Sequence, residues 1–244
     1  RHILADAGLG HRFEELNRES VRLAIEARNE AASELGRPPV AVAGSVSTTV
    51  QGAGAPPIEV ARVNFADQVA IQAEAGVDLF ILEMMRDLEQ TGVILDAVET
   101  TGLPVWLGFA AEVDDNGDPC LIYRGLPLGE AIDGLAGRRI EAMVLMHTEV
   151  HHIDRCLDAV LAQWDGPIGV YAHTGHFERP KWIFNGTISP DDYATAGRRW
   201  LERGVQVIGG CCGIRPDHIR LLQPIVAEVR RSKGADGRAR SQPA

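Results

Sequence analysis

Short apolar runs alternate with longer stretches of helical periodicity along the chain. The short runs are apolar on both faces, which is typical of buried strands. The longer stretches place apolar residues three and four positions apart, which predicts amphipathic helices. The pattern predicts strands over 40–46, 78–83, 104–110, 142–146, 167–171 and 205–208, and helices over 11–33, 59–75, 88–100, 128–136, 153–164, from 189 onward, and 216–231.

This alternation predicts an α/β fold with a parallel sheet covered by helices. A doubly wound sheet and a (β/α)₈ TIM barrel both satisfy it, but no Gly-x-Gly-x-x-Gly follows the first predicted strand, which counts against a dinucleotide-binding sheet. A length of 244 residues suits one barrel. We expect residues 1–231 to form a single domain and residues 232–244, which lack periodicity, to form a disordered tail.

Charge and composition exclude several classes of protein. The formal net charge is −10, so a general nucleic-acid binder or a binder of anionic membranes is not expected. No apolar run reaches the roughly 18 residues of a membrane helix, and residues 1–10 do not have the pattern of a signal peptide. Four cysteines are too few for a disulfide framework, which predicts a reducing, cytoplasmic setting.

The most specific feature is the segment Gly-Gly-Cys-Cys-Gly at 209–213, directly after the last predicted strand. Adjacent side chains of a regular strand point to opposite faces, so Cys211 and Cys212 reach one ion only if the backbone leaves strand geometry, and the glycines allow that. Two thiolates form a site suited to zinc. A pair of small buried residues or a vicinal disulfide is the structural alternative.

Other polar residues fall at predicted strand ends, where both fold types place their sites. His147 is the natural third zinc ligand, whereas His151, His152 and His176 are expected to be solvated. Cys120 and Cys156 are expected to be structural. Glu83 ends an apolar strand, and its carboxylate needs either a structural ion pair, such as with Arg86, or a cationic substrate atom.

The segment from Gly209 to Ile219 closely resembles the Gly-Gly-Cys-Cys-Gly-Thr-x-Pro-x-His-Ile signature of the homocysteine S-methyltransferase family. Supporting likenesses are the strand ending in Glu83 and followed by Glu89, the Ala-Gly-Ser strand end at Ser45, and the segment around His173 with the later Trp182. The resemblance covers residues 11 to 231. It implies a zinc-dependent (β/α)₈ barrel that transfers a methyl group from an activated donor to homocysteine and forms methionine.

The resemblance also implies roles for individual residues. Cys211 and Cys212 would bind Zn²⁺, Glu83 would bind the amino group of homocysteine, and Ser45 and His173 would contact substrate. The partners would be a small-molecule thiol and a methyl donor, with a homo-oligomer possible and no nucleic acid or membrane. Coordination deprotonates a thiol that is mostly protonated at neutral pH, which makes it a better nucleophile.

This chain departs from the family pattern at several positions. The family places its first cysteine ligand where His147 stands, so a Cys₂His site with less negative charge is expected, and methyl transfer should be slower. The family's asparagine is His173, which could instead add a metal ligand or a contact to a ligand. The threonine after the strand-ending glutamate is Met84. The first strand, first helix and most of the second strand of the barrel have no counterpart in this sequence.

Two other functions remain open on the sequence alone. A Cys₂His site with nearby histidines could activate water, as in a metal-dependent hydrolase or lyase. A barrel that has lost a ligand could also be a non-catalytic binding protein.

Overall fold

The computed structural model describes residues 1–48, 56–178, 181–184 and 187–239. The helices and strands alternate as predicted, and the parallel α/β class is confirmed. The helices are α1 (His2–Asp6), α2 (Phe13–Leu35), α3 (Ile58–Glu74), α4 (Leu88–Glu99), α5 (Leu128–Asp133), α6 (Ile153–Gln163), α7 (Pro190–Glu202) and α8 (Pro216–Ala239). The strands are β1 (Ala43–Ser47), β2 (Leu79–Met85), β3 (Val105–Val113), β4 (Pro119–Leu121), β5 (Ala142–Glu149), β6 (Ile168–His173), β7 (His176–Glu178), β8 (Lys181–Ile183) and β9 (Val207–Ile208).

The chain divides into two compact units, and β3 begins in the first and ends in the second. The first unit comprises Arg1–Gly108 and Ala131–Ala142. Within it, β1 pairs in parallel with β2, and the strand order is β1-β2-β3. Helices α2, α3 and α4 pack in sequence order. The apolar side chains of β2 and α4 form the centre of its core, with Phe80, Leu82, Ile94 and Leu95 fully buried.

The second unit comprises Phe109–Glu130 and the chain from Met143 onward. Its strand order is β3-β5-β6-β9, with β5, β6 and β9 parallel and β4 antiparallel to β3. A separate antiparallel hairpin is formed by β7 and β8. Helices α7 and α8 pack against each other, and a salt bridge between Arg198 and Glu228 joins their exposed faces.

The structure confirms the predicted start of α7 and changes the predicted ends of α8 and β5. Ser189 caps α7 by accepting a hydrogen bond from the Asp192 amide at 3.1 Å, and Pro190 occupies the first turn, as predicted. The last helix does not end at residue 231 but continues to Ala239. Residues 240–244 lie outside the described chain. Strand β5 extends three residues past its predicted end, to Glu149.

Among the described residues, no helix combines the length and the apolar character that crossing a bilayer would demand.

Candidate metal and substrate site

Three side chains of the second unit converge as the sequence predicted. The Sγ atoms of Cys211 and Cys212 are 3.8 Å apart, and His147 Nδ1 lies 3.7 Å from the first sulfur and 3.8 Å from the second. Both cysteines are free thiols, so they do not form a vicinal disulfide. Within the described chain, these three residues are the group of possible ligands whose atoms all lie within 4.8 Å of one another.

The dimensions of this triangle fit zinc. Zinc binds cysteine sulfur at about 2.3 Å and histidine nitrogen at about 2.0–2.1 Å, so tetrahedral geometry places two sulfurs about 3.8 Å apart and a sulfur and a nitrogen about 3.6 Å apart. The observed separations agree with these values to about 0.2 Å, which is the tolerance expected of a metal site. Two thiols and one imidazole are also the donor types that zinc prefers.

A break in the strand directs His147 toward the cysteines. The register between β5 and β6 shifts between Met146 and Glu149, which marks a β-bulge, and His147 has a φ of 45°. This left-handed conformation is uncommon outside glycine, asparagine, aspartate and histidine. Thr148 fixes the bulge, because its hydroxyl donates to the Met146 carbonyl at 3.0 Å and accepts from the Ala111 amide at 3.1 Å. The strand therefore buries residues 146, 147 and 148 in succession.

The cysteines lie in a tight turn that depends on two of the glycines. The Ile214 amide donates to the Cys211 carbonyl at 3.1 Å, which closes the turn. A Cβ at Gly210 would lie 2.2 Å from the Cγ2 atom of Ile214. Gly213 has a φ of 78°, and a Cβ there would lie 2.5 Å from the Thr174 carbonyl oxygen. Glycine is thus required at both positions, whereas a Cβ at Gly209 would make only an ordinary contact.

The turn is fastened to the rest of the unit by backbone and side-chain hydrogen bonds. The Cys211 amide donates to the Ala172 carbonyl, and the Thr174 amide donates to the Cys212 carbonyl, each at 2.9 Å. The buried hydroxyl of Tyr193 donates to the Gly209 carbonyl at 2.6 Å, and burial raises the pKa of this phenol. Sequence reasoning did not select Tyr193, since a tyrosine within a helix carries no local signal of this contact.

His218 orders the chain that follows the cysteines. Its Nδ1 accepts a hydrogen bond from the Arg215 amide at 3.2 Å, and its Nε2 lies 3.1 Å from the Ile188 carbonyl oxygen. Nε2 is therefore assigned as the protonated nitrogen that donates to this carbonyl. The imidazole is almost completely buried. His218 belongs to the motif that carries the resemblance, and its place in the structure is that of a buried hydrogen-bonding group.

Aromatic rings lie beside the three possible ligands. The ring centroids of His147 and His173 are 4.5 Å apart, and the Trp182 ring stands edge-on to both, at 5.4 Å and 5.6 Å. Phe184 stacks on Trp182 at 6.0 Å. Burial lowers the pKa of His173, opposed by the charge of Glu149 and by a hydrogen bond with the His147 backbone. The hairpin that carries Trp182 was not predicted.

The other histidines and cysteines stand apart from this group. His151 is exposed and pairs with Glu149 at 3.2 Å, as expected of a solvated histidine, while His152 is half-buried at the start of α6. The side chain of His176 lies outside the described residues. Cys120 and Cys156 are buried, and burial raises the pKa of Cys156 to about 12, which fits the predicted structural role.

The remaining predicted substrate residues lie in the first unit, where Ser45 and Glu83 meet. The Ser45 hydroxyl donates to Glu83 Oε2 at 2.5 Å. The strand turns sharply directly after Glu83, because Met84 has a φ of 58° and its carbonyl accepts a hydrogen bond from the Thr48 hydroxyl. A pocket of about 200 Å³ adjoins Ser45, and Asn64 and Gln68 contribute polar groups to its wall.

Comparison with known proteins assigns a family. A profile described as homocysteine S-methyltransferase matches residues 1–226. Among curated relatives, homocysteine S-methyltransferase YbgG of Bacillus subtilis is 29% identical over 163 residues, which are 66% of this chain and 49% of the relative. Homocysteine S-methyltransferase 4 of Zea mays is 28% identical over 88% of this chain and 69% of its own length. The match to the Bacillus protein thus spans about half of that relative.

Solved structures show the same fold. The metallated form of the homocysteine methyltransferase MmuM from Escherichia coli superimposes with a TM-score of 0.72 at 21% identity, over 91% of this chain and 74% of the other. The fold predicted from the strand and helix pattern is therefore that of a solved methyltransferase.

Proposed function

Because the chain belongs to the homocysteine S-methyltransferase family, we propose that it transfers a methyl group from an activated donor to the thiol of homocysteine or a related thiol. We further propose that zinc bound by His147, Cys211 and Cys212 assists this transfer. The observation that carries the proposal is the near-equilateral triangle of one nitrogen and two sulfurs, with sides of 3.7 to 3.8 Å. The names of the two curated relatives and the metallated state of MmuM support it.

The residues of the chain would supply three donors and leave a fourth position for the acceptor. Bound zinc lowers the pKa of a coordinated thiol, so that the acceptor is present as a nucleophilic thiolate at neutral pH. His147 is held in orientation by the bulge, and the cysteines by the turn at Gly210 and Gly213. Both cysteines are only partly buried, so a small thiol can approach them.

Histidine as one of the ligands affects the reactivity of the site. Two thiolates and a neutral imidazole balance the charge of Zn²⁺, whereas three thiolates would leave a negative charge. An acceptor thiolate in a Cys₂His site therefore keeps less electron density than one in a Cys₃ site. We expect efficient deprotonation of the acceptor but slower attack on the methyl donor.

The assignment of Glu83 to the amino group of the acceptor stays a prediction from the family resemblance. Its carboxylate accepts a hydrogen bond from Ser45, which fixes its orientation. An ionised carboxylate can accept several hydrogen bonds and is a suitable partner for an ammonium group. The identity of the methyl donor is not assigned to any residue of this chain.

The metal proposal is tested by elemental analysis of the purified protein. We expect about one zinc per chain in the wild type and a loss of most of it in Cys211→Ser. Cys120→Ser is the matched control, because Cys120 is also a free cysteine of the second unit but lies outside the triangle. Equal and negligible zinc in all three proteins would refute the metal site.

The reaction is tested by supplying homocysteine with S-methylmethionine, betaine or S-adenosylmethionine and measuring methionine. Formation of methionine by the wild type and its loss in Cys211→Ser support the proposal. Zinc binding without methionine from any donor would contradict methyl transfer to homocysteine. Such a result would favour the alternative function that the sequence left open, a metal-dependent hydrolase or lyase.

A further inference from the structure

His173 has one ring nitrogen that the described chain leaves unpartnered. The residue is only 5% exposed, and its Nδ1 is buried without a hydrogen-bond partner among the described residues. A hydrogen bond between the His173 ring and the His147 backbone acts to raise the pKa of His173, which means that the ring is the donor. The donor of that bond is therefore Nε2, and in the neutral ring Nδ1 carries an unused lone pair.

The His173 ring lies beside His147, one of the three possible zinc ligands. His173 is the last residue of β6, and it lies opposite Glu149, on the far side of the bulge that contains His147. Its ring centroid is 4.5 Å from that of His147, with the ring planes tilted by 33°. The Trp182 ring makes edge-on contacts with both His173 and His147. The amide of the next residue, Thr174, donates to the Cys212 carbonyl.

This hydrogen-bonding pattern is the one that metal-binding histidines show. A ligating imidazole usually donates its other N–H to a carboxylate or a backbone carbonyl, which fixes the tautomer and the ring orientation. The bond with the His147 backbone meets this condition, and the unpartnered Nδ1 is the atom left to bind. A buried imidazole nitrogen without any partner is otherwise unfavourable.

We propose that His173 is a fourth ligand that closes the metal site when no thiol is bound. This inference rests on the proposed zinc site. His173 lies outside the group whose atoms are all within 4.8 Å of one another. A tetrahedral ligand must be about 3.6 Å from the other donors, so Nδ1 must move by at least about 1 Å to bind. On thiol binding, the bond from nitrogen to metal breaks, a bond from sulfur to metal forms, and the thiol proton passes to solvent.

X-ray absorption spectroscopy of the zinc-loaded full chain counts the ligands directly. Without thiol, we expect two sulfurs and two imidazoles around zinc. With homocysteine, we expect three sulfurs and one imidazole. A single imidazole in the thiol-free wild type would overturn the proposal, while failure to bind zinc would instead refute the proposed metal site.

Two variants extend the experiment. His173→Phe keeps a ring of similar size without a donor, and we expect the zinc site to lose one imidazole and to bind homocysteine with a lower Kd, because no ligand must be displaced. His152→Phe is the control, since His152 also has a buried, unpartnered Nδ1 but lies outside the triangle. An unchanged imidazole count in His173→Phe would contradict the inference.

Discussion

A single methyl group at residue 210 should disrupt the proposed metal site. In Gly210→Ala the new Cβ would lie 2.2 Å from the Cγ2 atom and 2.6 Å from the Cβ atom of Ile214. Ordinary contact begins at 3.4 Å, so the two residues must separate by about 0.8 Å to relieve the contact between the two Cβ atoms. Because the Cβ of Ile214 is fixed by its own backbone, a side-chain rotation cannot relieve the clash. Cys211 and Cys212 lie between the two residues and must move with the turn.

The expected loss follows from the tolerance of a zinc site. Ligand distances may depart from their ideal values by only about 0.2 Å, and the required separation is several times larger. Overpacking of a closely packed position costs about 1–3 kcal/mol. If the cost falls on the metal-bound form, zinc affinity decreases by about 5- to 150-fold. If the turn keeps its shape, the clash is present in the metal-free protein as well, and the same free energy is lost from the stability of that form.

Chelator competition for zinc and denaturant unfolding of the metal-free protein separate the two outcomes. Gly209→Ala is the matched control, because its Cβ would meet only the Cβ of Tyr171, at 3.4 Å. We expect this neighbouring variant to keep wild-type affinity and stability. The reasoning would be refuted if Gly210→Ala matched Gly209→Ala in both measurements.

Three further predictions concern the surroundings of the site. Tyr193→Phe removes the hydrogen bond to the Gly209 carbonyl and should lower the free energy of unfolding by about 0.5–1.5 kcal/mol, measured by denaturant titration; no change would mean that the bond is not formed in solution. In the metal-free native protein at pH 8, Cys211 and Cys212 should react with a disulfide reagent, whereas the buried Cys120 and Cys156 should not. At a pKa of about 12, Cys156 is a thiolate in only about 1 of 10,000 molecules, and fast labelling of Cys156 itself would contradict its burial. Glu83→Gln should raise the KM for homocysteine by about 10- to 100-fold without altering zinc content, whereas an unchanged KM would exclude Glu83 from acceptor binding.

The fold could be predicted from the sequence because its central strands β3, β5 and β6 are buried on both faces, although β1 alternates between exposed and buried residues. Apolar runs separated by stretches of helical periodicity predict the six strands of the order β1-β2-β3-β5-β6-β9. The β7–β8 hairpin escaped prediction because its strands are only three residues long and show too little alternation to register. The end of α8 escaped prediction because the sequence from residue 232 onward has no helical periodicity.

The convergence of Cys211, Cys212 and His147 could be predicted because their positions in the sequence already indicate it. Adjacent cysteines among glycines specify a turn, and His147 follows a predicted strand. The means of bringing them together could not be predicted, because the bulge in β5 depends on hydrogen bonds of Thr148 with Met146 and Ala111. A bulge is set by the partner strand as much as by its own residues.

The left-handed backbone at His147 restricts which side chain can reach the cysteine pair from this position. The coordinating nitrogen of histidine stands three bonds from Cα, whereas the sulfur of cysteine stands two bonds away. A backbone conformation that delivers an imidazole to the cysteine pair would therefore leave a thiol short of it. Exchange of one donor for the other at this residue requires the peptide to be repositioned, so the strand irregularity and the imidazole form one matched unit.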